Sequence, residues 1–340
     1  MACKRSVTVA ALAAIALGGC THAPPPVLEP QADARRWPPP PAQPRVRFVG
    51  TISSEKDLHS PTNFWRKIVG EDPPARLVAP TDVAVHGDRL FVIDTDARAV
   101  HLLDLAGRQH QLIGAGRLEL PSALCWADER LFVADAEAGA IFEWSPAGGL
   151  QRFDRDAPQR PAGLAFAPDK QRLFVSDLGL GTILAYDLDG HLVQTFDAGP
   201  ARLGSPTHLT YHPDTGLAVA DSMGGRVVRF DADGQYLGAI GSPGDAPGNL
   251  SLPKGVAVDS QGHLYVVDAR FENVQVFDPQ GRILMAFGSE GGGDGEFWLP
   301  AGMCIDHKDR IWVADTYNCR VQVFQYLGAG SDEPKVALNN

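Results

Sequence analysis

The chain has 340 residues, 44 % of them hydrophobic and 21 % charged, the proportions of a globular protein with enough length for one large domain or two ordinary ones. Its net charge is -11 and its pI about 5.3. No Lys/Arg stripe accompanies that charge, which excludes nucleic acid as a default partner, because phosphate binding needs one. Thirty-six Gly and 27 Pro call for many turns and favour short strands over long helices.

Residues 1–19 read as an export signal. Lys4 and Arg5 precede an apolar run of roughly a dozen residues and then small residues, too short to span a bilayer as a mature helix. The closing "LGGC" resembles the bacterial lipoprotein box, which implies cleavage before Cys20 and lipidation of its thiol. Several acyl chains on one Cys anchor firmly, since each buried CH2 contributes roughly 0.8 kcal/mol. Thr21 follows, not the Asp that tends to retain such proteins in the inner membrane. The resemblance therefore implies an exported protein anchored to the outer membrane and facing the periplasm. Residues 20–44 are Pro-rich and aperiodic, a stiff extended tether; Arg35, Arg36 and Trp37 are its only residues suited to lipid headgroups.

Residues 45–327 are repetitive. An apolar run ends in Asp six times: "LFVID" at Asp94, "LFVAD" at Asp135, "LFVSD" at Asp177, "LAVAD" at Asp221, "LYVVD" at Asp268 and "IWVAD" at Asp315. The spacings are 41, 42, 44, 47 and 47, and each Asp follows a Pro by 14 to 16 residues. Each of the first five repeats holds four strand signals separated by Asp, Gly, Pro and Asn turns, which is one propeller blade. The repeats run near 77–117, 118–157, 158–201, 202–249, 250–297 and 298–327. The expected fold is all-β, a six-bladed β-propeller and a monomer. The last repeat stops at strand three, and "RVRFVGTIS" (Arg45–Ser53) reads as the strand that completes it and closes the ring. Between that strand and the first repeat, 60–70 reads as a short helix begun at Ser60–Pro61, with Phe64, Trp65, Ile68 and Val69 on one face. Residues 328–340 form a polar tail.

The pattern Pro-x-Gly-apolar-x-apolar-Asp, then Tyr-Val-x-Asp, then Val-Gln-Val-Phe resembles the NHL repeat. Its clearest copies are "LPKGVAVDSQGHLYVVDARFENVQVF" and "LPAGMCIDHKDRIWVADTYNCRVQVF". The other four are looser, and Asp82, Ala123 and His208 replace the motif Gly in three of them. The whole chain resembles bacterial NHL-repeat lipoproteins.

The six Asp read as turn caps and as partners of strand-three Arg, for example Asp221 with Arg226 and Asp315 with Arg320. "DLDG" (Asp187–Gly190) and "DADG" (Asp231–Gly234) resemble the opening of a calcium loop but lack its later ligands, so they read as hairpin turns and no cofactor is expected. Ten His occur without metal-ligand spacing. Cys304 and Cys319 are placed for a disulfide in an oxidising envelope or remain free thiols, like Cys125.

Two functional readings follow. The first is a non-catalytic interaction platform that binds an envelope protein, peptide or glycan. Its surface comprises the channel-mouth residues Thr81, Asp82, His208 and Lys254 and the strand two–three turns bearing Asp96, Arg98, Glu137, Met223, Arg270, Phe271 and Tyr317. Arg, Phe and Tyr are favoured anchors. The second is a metal-dependent lyase or lactonase at the central channel, as the resemblance to six-bladed ring enzymes implies, with Asp82 and His208 its only legible candidates.

Overall fold

A computed structural model describes residues 28, 34–58, 75–196 and 202–328. The signal, Cys20, the expected helix at 60–70 and the tail beyond 328 lie outside the described residues.

Strand one of the six blades runs over Pro80–His86, Pro121–Ala127, Pro161–Ala167, Pro206–His212, Pro253–Val258 and Pro300–Ile305. Blades 1 to 5 each pair four antiparallel strands in sequence order. Strand one of each blade packs beside strand one of the next, and blade 6 returns to blade 1, so the ring is closed. The fourth strand of blade 6 is Val46–Ile52, which pairs with Arg320–Tyr326 from the far end of the chain. The expected ring closure is therefore present, and it joins N-terminal and C-terminal sequence in one sheet.

Arg36–Trp37 add a fifth strand to blade 6, with Trp37 opposite Val46. The Trp37 ring lies 5.9 Å from Phe287 and 5.8 Å from Phe324, and the Arg35 guanidinium stands 5.6 Å above it. The sequence alone predicts a tether over this stretch. The second half of that stretch is instead part of the propeller, because Trp37 buries an aromatic face at the junction of blades 5 and 6 and its strand covers an otherwise open sheet edge.

Alternate residues of strands two and three fill the six spaces between blades, as in the cluster of Ala84, Phe91, Ile93, Val100, Leu131, Val133 and Trp144 between blades 1 and 2. Each sheet is apolar on both faces for that reason. The six repeat Asp are fully buried. Each accepts backbone N–H bonds from residues just before the Pro that opens its own blade, and bonds from its own turn as well, backbone N–H in five blades and the Asn318 side-chain amide at Asp315. Asp94 takes Val78 N at 2.6 Å, Ala79 N at 3.2 Å and Ala97 N at 3.1 Å. Asp221 and Asp315 also hold the expected arginines, Arg226 at 3.2 Å and Arg320 at 2.7 Å. One Asp per blade thus locks the inter-blade loop to the strand two–three turn, and both belong to one face of the ring, termed the upper face.

Candidate functional site

The inner strands of a closed ring leave their inner edges facing the channel, where backbone N–H groups lack a ladder partner. At the third residue of strand one, blades 3, 5 and 6 carry Gly163, Gly255 and Gly302. A Cβ there would run into the next blade's backbone, that of Gly163 into Thr207 O and that of Gly255 into Ala301 O. Glycine lets the inner strands close to contact distance.

Blades 1 and 4 place Asp82 and His208 at the same level. These blades stand opposite in the ring, and the two side chains meet across it: His208 Nε2 lies 3.2 Å from Asp82 Oδ1. Asp82 Oδ2 accepts Leu124 N of blade 2 at 2.8 Å. His208 Nδ1 accepts Val256 N of blade 5 at 3.3 Å. Because Nδ1 accepts, the ring carries its proton on Nε2 and donates it to the carboxylate. Each side chain also satisfies an orphan amide of the following blade. The pair is a strut across the channel, and both its donor and its acceptor atoms are engaged within the protein.

Below the strut, toward the strand one–two turns, lies a cavity of about 370 Å³. One ring of its wall is aromatic on three blades and aliphatic on three: Trp126, Phe166 and Tyr211 face Val258, Ile305 and Val85. Cys125 and Cys304 line the level between this ring and the strut. Burial, and then the nearby Asp82 charge, push the Cys125 thiol up to about 12 and the Cys304 thiol well above its ordinary range. Both are therefore held as thiols at neutral pH, the form that is a poor nucleophile. Cys304 and Cys319 are free thiols, so the disulfide alternative is not realised. Sequence reasoning missed this wall; its signal was the large residue three places after Ala123, Gly163 and His208.

Above the strut lies the upper face. Thr81, Lys254, Ser122 and Thr207 occupy the second position of strand one and form the channel rim. Ser122 Oγ donates to Pro161 O of the next blade at 2.8 Å. Thr207 Oγ1 bonds Ser222 Oγ within blade 4 at 2.9 Å, and Ser222 Oγ donates to Pro253 O of blade 5. Asp96, Arg98, Glu137, Met223, Arg270, Phe271 and Tyr317 all lie on strand two–three turns of this face, as expected. The turns are held by the buried Asp beneath them: Asp268 accepts Arg270 N at 3.0 Å and Phe271 N at 3.2 Å.

The twelve large apolar side chains exposed among the described residues have a pattern. Val78, Leu180, Met223, Trp298, Leu299 and Tyr317 are on the upper face; the other six lie on outermost strands, and none is on the lower face. Met223 is 82 % exposed, Tyr317 61 % and Trp298 52 %. The Trp298 and Tyr317 rings lie 5.7 Å apart, and Tyr317 N donates to Trp298 O. Trp298 and Leu299 escaped the sequence reading, although "FWLP" is the one inter-blade loop with a Trp before the repeat Pro.

Residues 250–277 and 297–324 match the NHL repeat. The chain carries NHL repeats. Residues 132–252 of this NHL-repeat propeller also match the SMP-30/gluconolactonase/LRE-like region. No curated protein sequence matches it. Its fold is similar to that of an auxiliary nutrient binding protein from Bacteroides ovatus, at 15 % identity and TM-score 0.62, over 75 % of this chain and 70 % of that one. A streptogramin B lyase is similar at 15 % identity and TM-score 0.58, over 74 % and 94 % of the two chains. Virginiamycin B lyase from Staphylococcus aureus is similar at 15 % identity and TM-score 0.56, over 73 % and 95 %. At these identities the likeness is one of fold, and one fold hosts many activities. Among the described residues no three His, Cys, Asp or Glu side chains converge as a metal site requires.

Proposed function

We propose that this chain is a non-catalytic interaction platform of the bacterial cell envelope, lipid-anchored through Cys20 to the outer membrane and working through its upper face. The observation that carries this reading is the adjoining pair of exposed aromatic rings on the upper face, Trp298 and Tyr317, 5.7 Å apart. Contiguous exposed apolar surface marks binding sites, and aromatic anchors on a preorganised scaffold lose little entropy on binding. The fold is shared with nutrient-binding proteins and with lyases alike, so the fold does not decide between binding and catalysis. The strut favours binding: Asp82 and His208, the pair an enzyme of this architecture would draw on, hold each other and two backbone amides.

The test is crosslinking of the full-length protein in cells, followed by mass spectrometry of captured partners. A discrete envelope partner that disappears in the Trp298→Ala/Tyr317→Ala variant is the expected result. Capture unaffected by those changes, together with turnover of an added lactone or streptogramin, overturns the reading.

A further inference from the structure

Between Asp33 and Glu55 the chain carries four arginines and no carboxylate, in a protein of net charge -11. Strand pairing gathers two of them with a third from the far end of the chain. Arg36 stands directly opposite Arg47, Arg47 opposite Gln325, and Gln325 opposite Arg310. Directly paired residues project from one face of a sheet, about 5 Å apart per strand. These four therefore form one row across blade 6, at the end of the blade nearest its strand one–two turn. Arg310 is held by Asp306 at 2.7 Å and lies 5.2 Å over the Trp312 ring. Gln325 Nε2 donates to Lys308 O at 2.9 Å. Among the described residues no carboxylate pairs with Arg47. Like charges placed directly opposite repel, so the Arg36–Arg47 pair gains from an anion that spans it.

The segment that leads back to Cys20 docks beside this row. A Cβ on Gly50 would meet Leu28 Cδ2 at 3.1 Å, so Leu28 packs directly over that glycine. Leu28 joins the apolar cluster of Val49, Ile52, Val321 and Val323 on the blade 1 side of blade 6. Gly50 is opposite Val323 and Arg47 opposite Gln325, two residues apart on strand three. The two positions thus share a face in adjoining rows, and Leu28 adjoins the arginines. Eight residues separate Leu28 from Cys20, a reach of at most about 29 Å when fully extended. Acyl chains on Cys20 therefore bring a bilayer within that distance of the row.

We propose that Arg36 and Arg47, in the field of Arg310, receive the phosphate headgroup of an anionic phospholipid and lay this corner of blade 6 on the bilayer. This rests on the anchored-platform reading and names the lipid and the side of the ring that meets it. Guanidinium forks match phosphate oxygens, and each arginine near an anionic membrane surface strengthens attachment to it. Trp298 and Tyr317 lie at the opposite ends of the blade 6 strands, just before Pro300 and just after Asp315. A ring seated on the arginine row therefore keeps its upper face free for a partner.

Vesicle sedimentation tests this with the chain from residue 20 onward carrying Cys20→Ser, which keeps every described residue and has no acyl chains. Vesicles one-third phosphatidylglycerol are compared with vesicles of phosphatidylcholine alone. Partitioning onto the anionic vesicles is expected to be at least about twentyfold stronger and to fall as salt is added. Arg36→Gln/Arg47→Gln removes most of that preference, about fivefold per arginine. Arg36→Lys/Arg47→Lys retains it and shows that the edge still folds, and Arg152→Gln on blade 2 leaves it unchanged. Equal partitioning onto the two vesicles overturns the inference, as does a preference that survives the double Gln variant. Displacement by millimolar inorganic phosphate, beyond that by chloride of equal ionic strength, assigns the row to a free phosphate and overturns the lipid assignment. Mass spectrometry of Cys20 separates this inference from the reading beneath it. An acylated Cys20 without headgroup preference leaves the anchored platform and removes only its lipid seat. An unmodified Cys20 removes the anchor and leaves the vesicle result standing.

Discussion

The strut gives the sharpest test of how the ring is held. Asp82→Ala leaves Leu124 N and His208 Nε2–H without acceptors, one an amide and the other the donor of a charge-assisted bond. Orphaned buried groups of these kinds cost about 1–3 kcal/mol each, so the variant is expected to lose about 3 kcal/mol. His208→Ala strands a fully buried carboxylate and Val256 N, a comparable loss. The double variant strands only the two amides. The cycle should therefore show a favourable coupling of about 2 kcal/mol between residues 126 positions apart in sequence. Asp82→Asn is no rescue. Its amide offers one acceptor to two donors, and switching the His208 tautomer would turn Nδ1–H against Val256 N–H. Guanidinium denaturation of the four proteins, followed by tryptophan fluorescence, measures the cycle. A coupling below about 0.5 kcal/mol, or an Asn variant as stable as the Asp protein, would refute the strut.

Other consequences are equally direct. His101 is buried against His110, its Nδ1 3.0 Å from His110 Nε2 and its Nε2 3.7 Å from Asp94. Burial and then His110 lower its pKa from 6.5 to about 4 against the opposing pull of Asp94, while Glu55 faces His110. The unfolded chain takes this proton first, so stability is full above pH 6.5 and falls by about 3 kcal/mol down to pH 4; His101→Leu should flatten that slope in denaturation curves. Arg320 is 8 % exposed and holds Asp315 together with Gly292 O, Gly293 O and Glu296 O, so Arg320→Ala should cost about 3–5 kcal/mol and increase proteolysis in the 289–297 loop. Iodoacetamide at pH 8 should label Cys319 in the native protein while leaving Cys125 and Cys304 unmodified until denaturant is added, as peptide mapping would show.

The blades were legible because they are local. Alternation, turn residues and a recurring Asp each operate within some 45 residues, and six near-copies reinforce one another. Ring closure was also legible, since a repeat lacking its last strand and a strand lacking a repeat imply each other. What escaped was whatever depends on which blades stand opposite or adjacent. The motif Gly replaced by Asp82 and the one replaced by His208 looked like two separate departures from a pattern. Only a six-fold ring makes positions three blades apart face each other and turns the departures into one hydrogen bond. Trp37 was unreadable for a similar reason, because its partners Phe287 and Phe324 are some 250 or more residues away. The same logic bears on function. A repeat copied six times yields an even rim, and the departures from it stand out: Lys254 where others have Ser, Thr or Ala, and Trp298 where no other loop has a Trp. Those differences fall in adjoining sectors on one face, the sectors where the platform proposed above would meet its partner, whereas the strut beneath them is closed on itself.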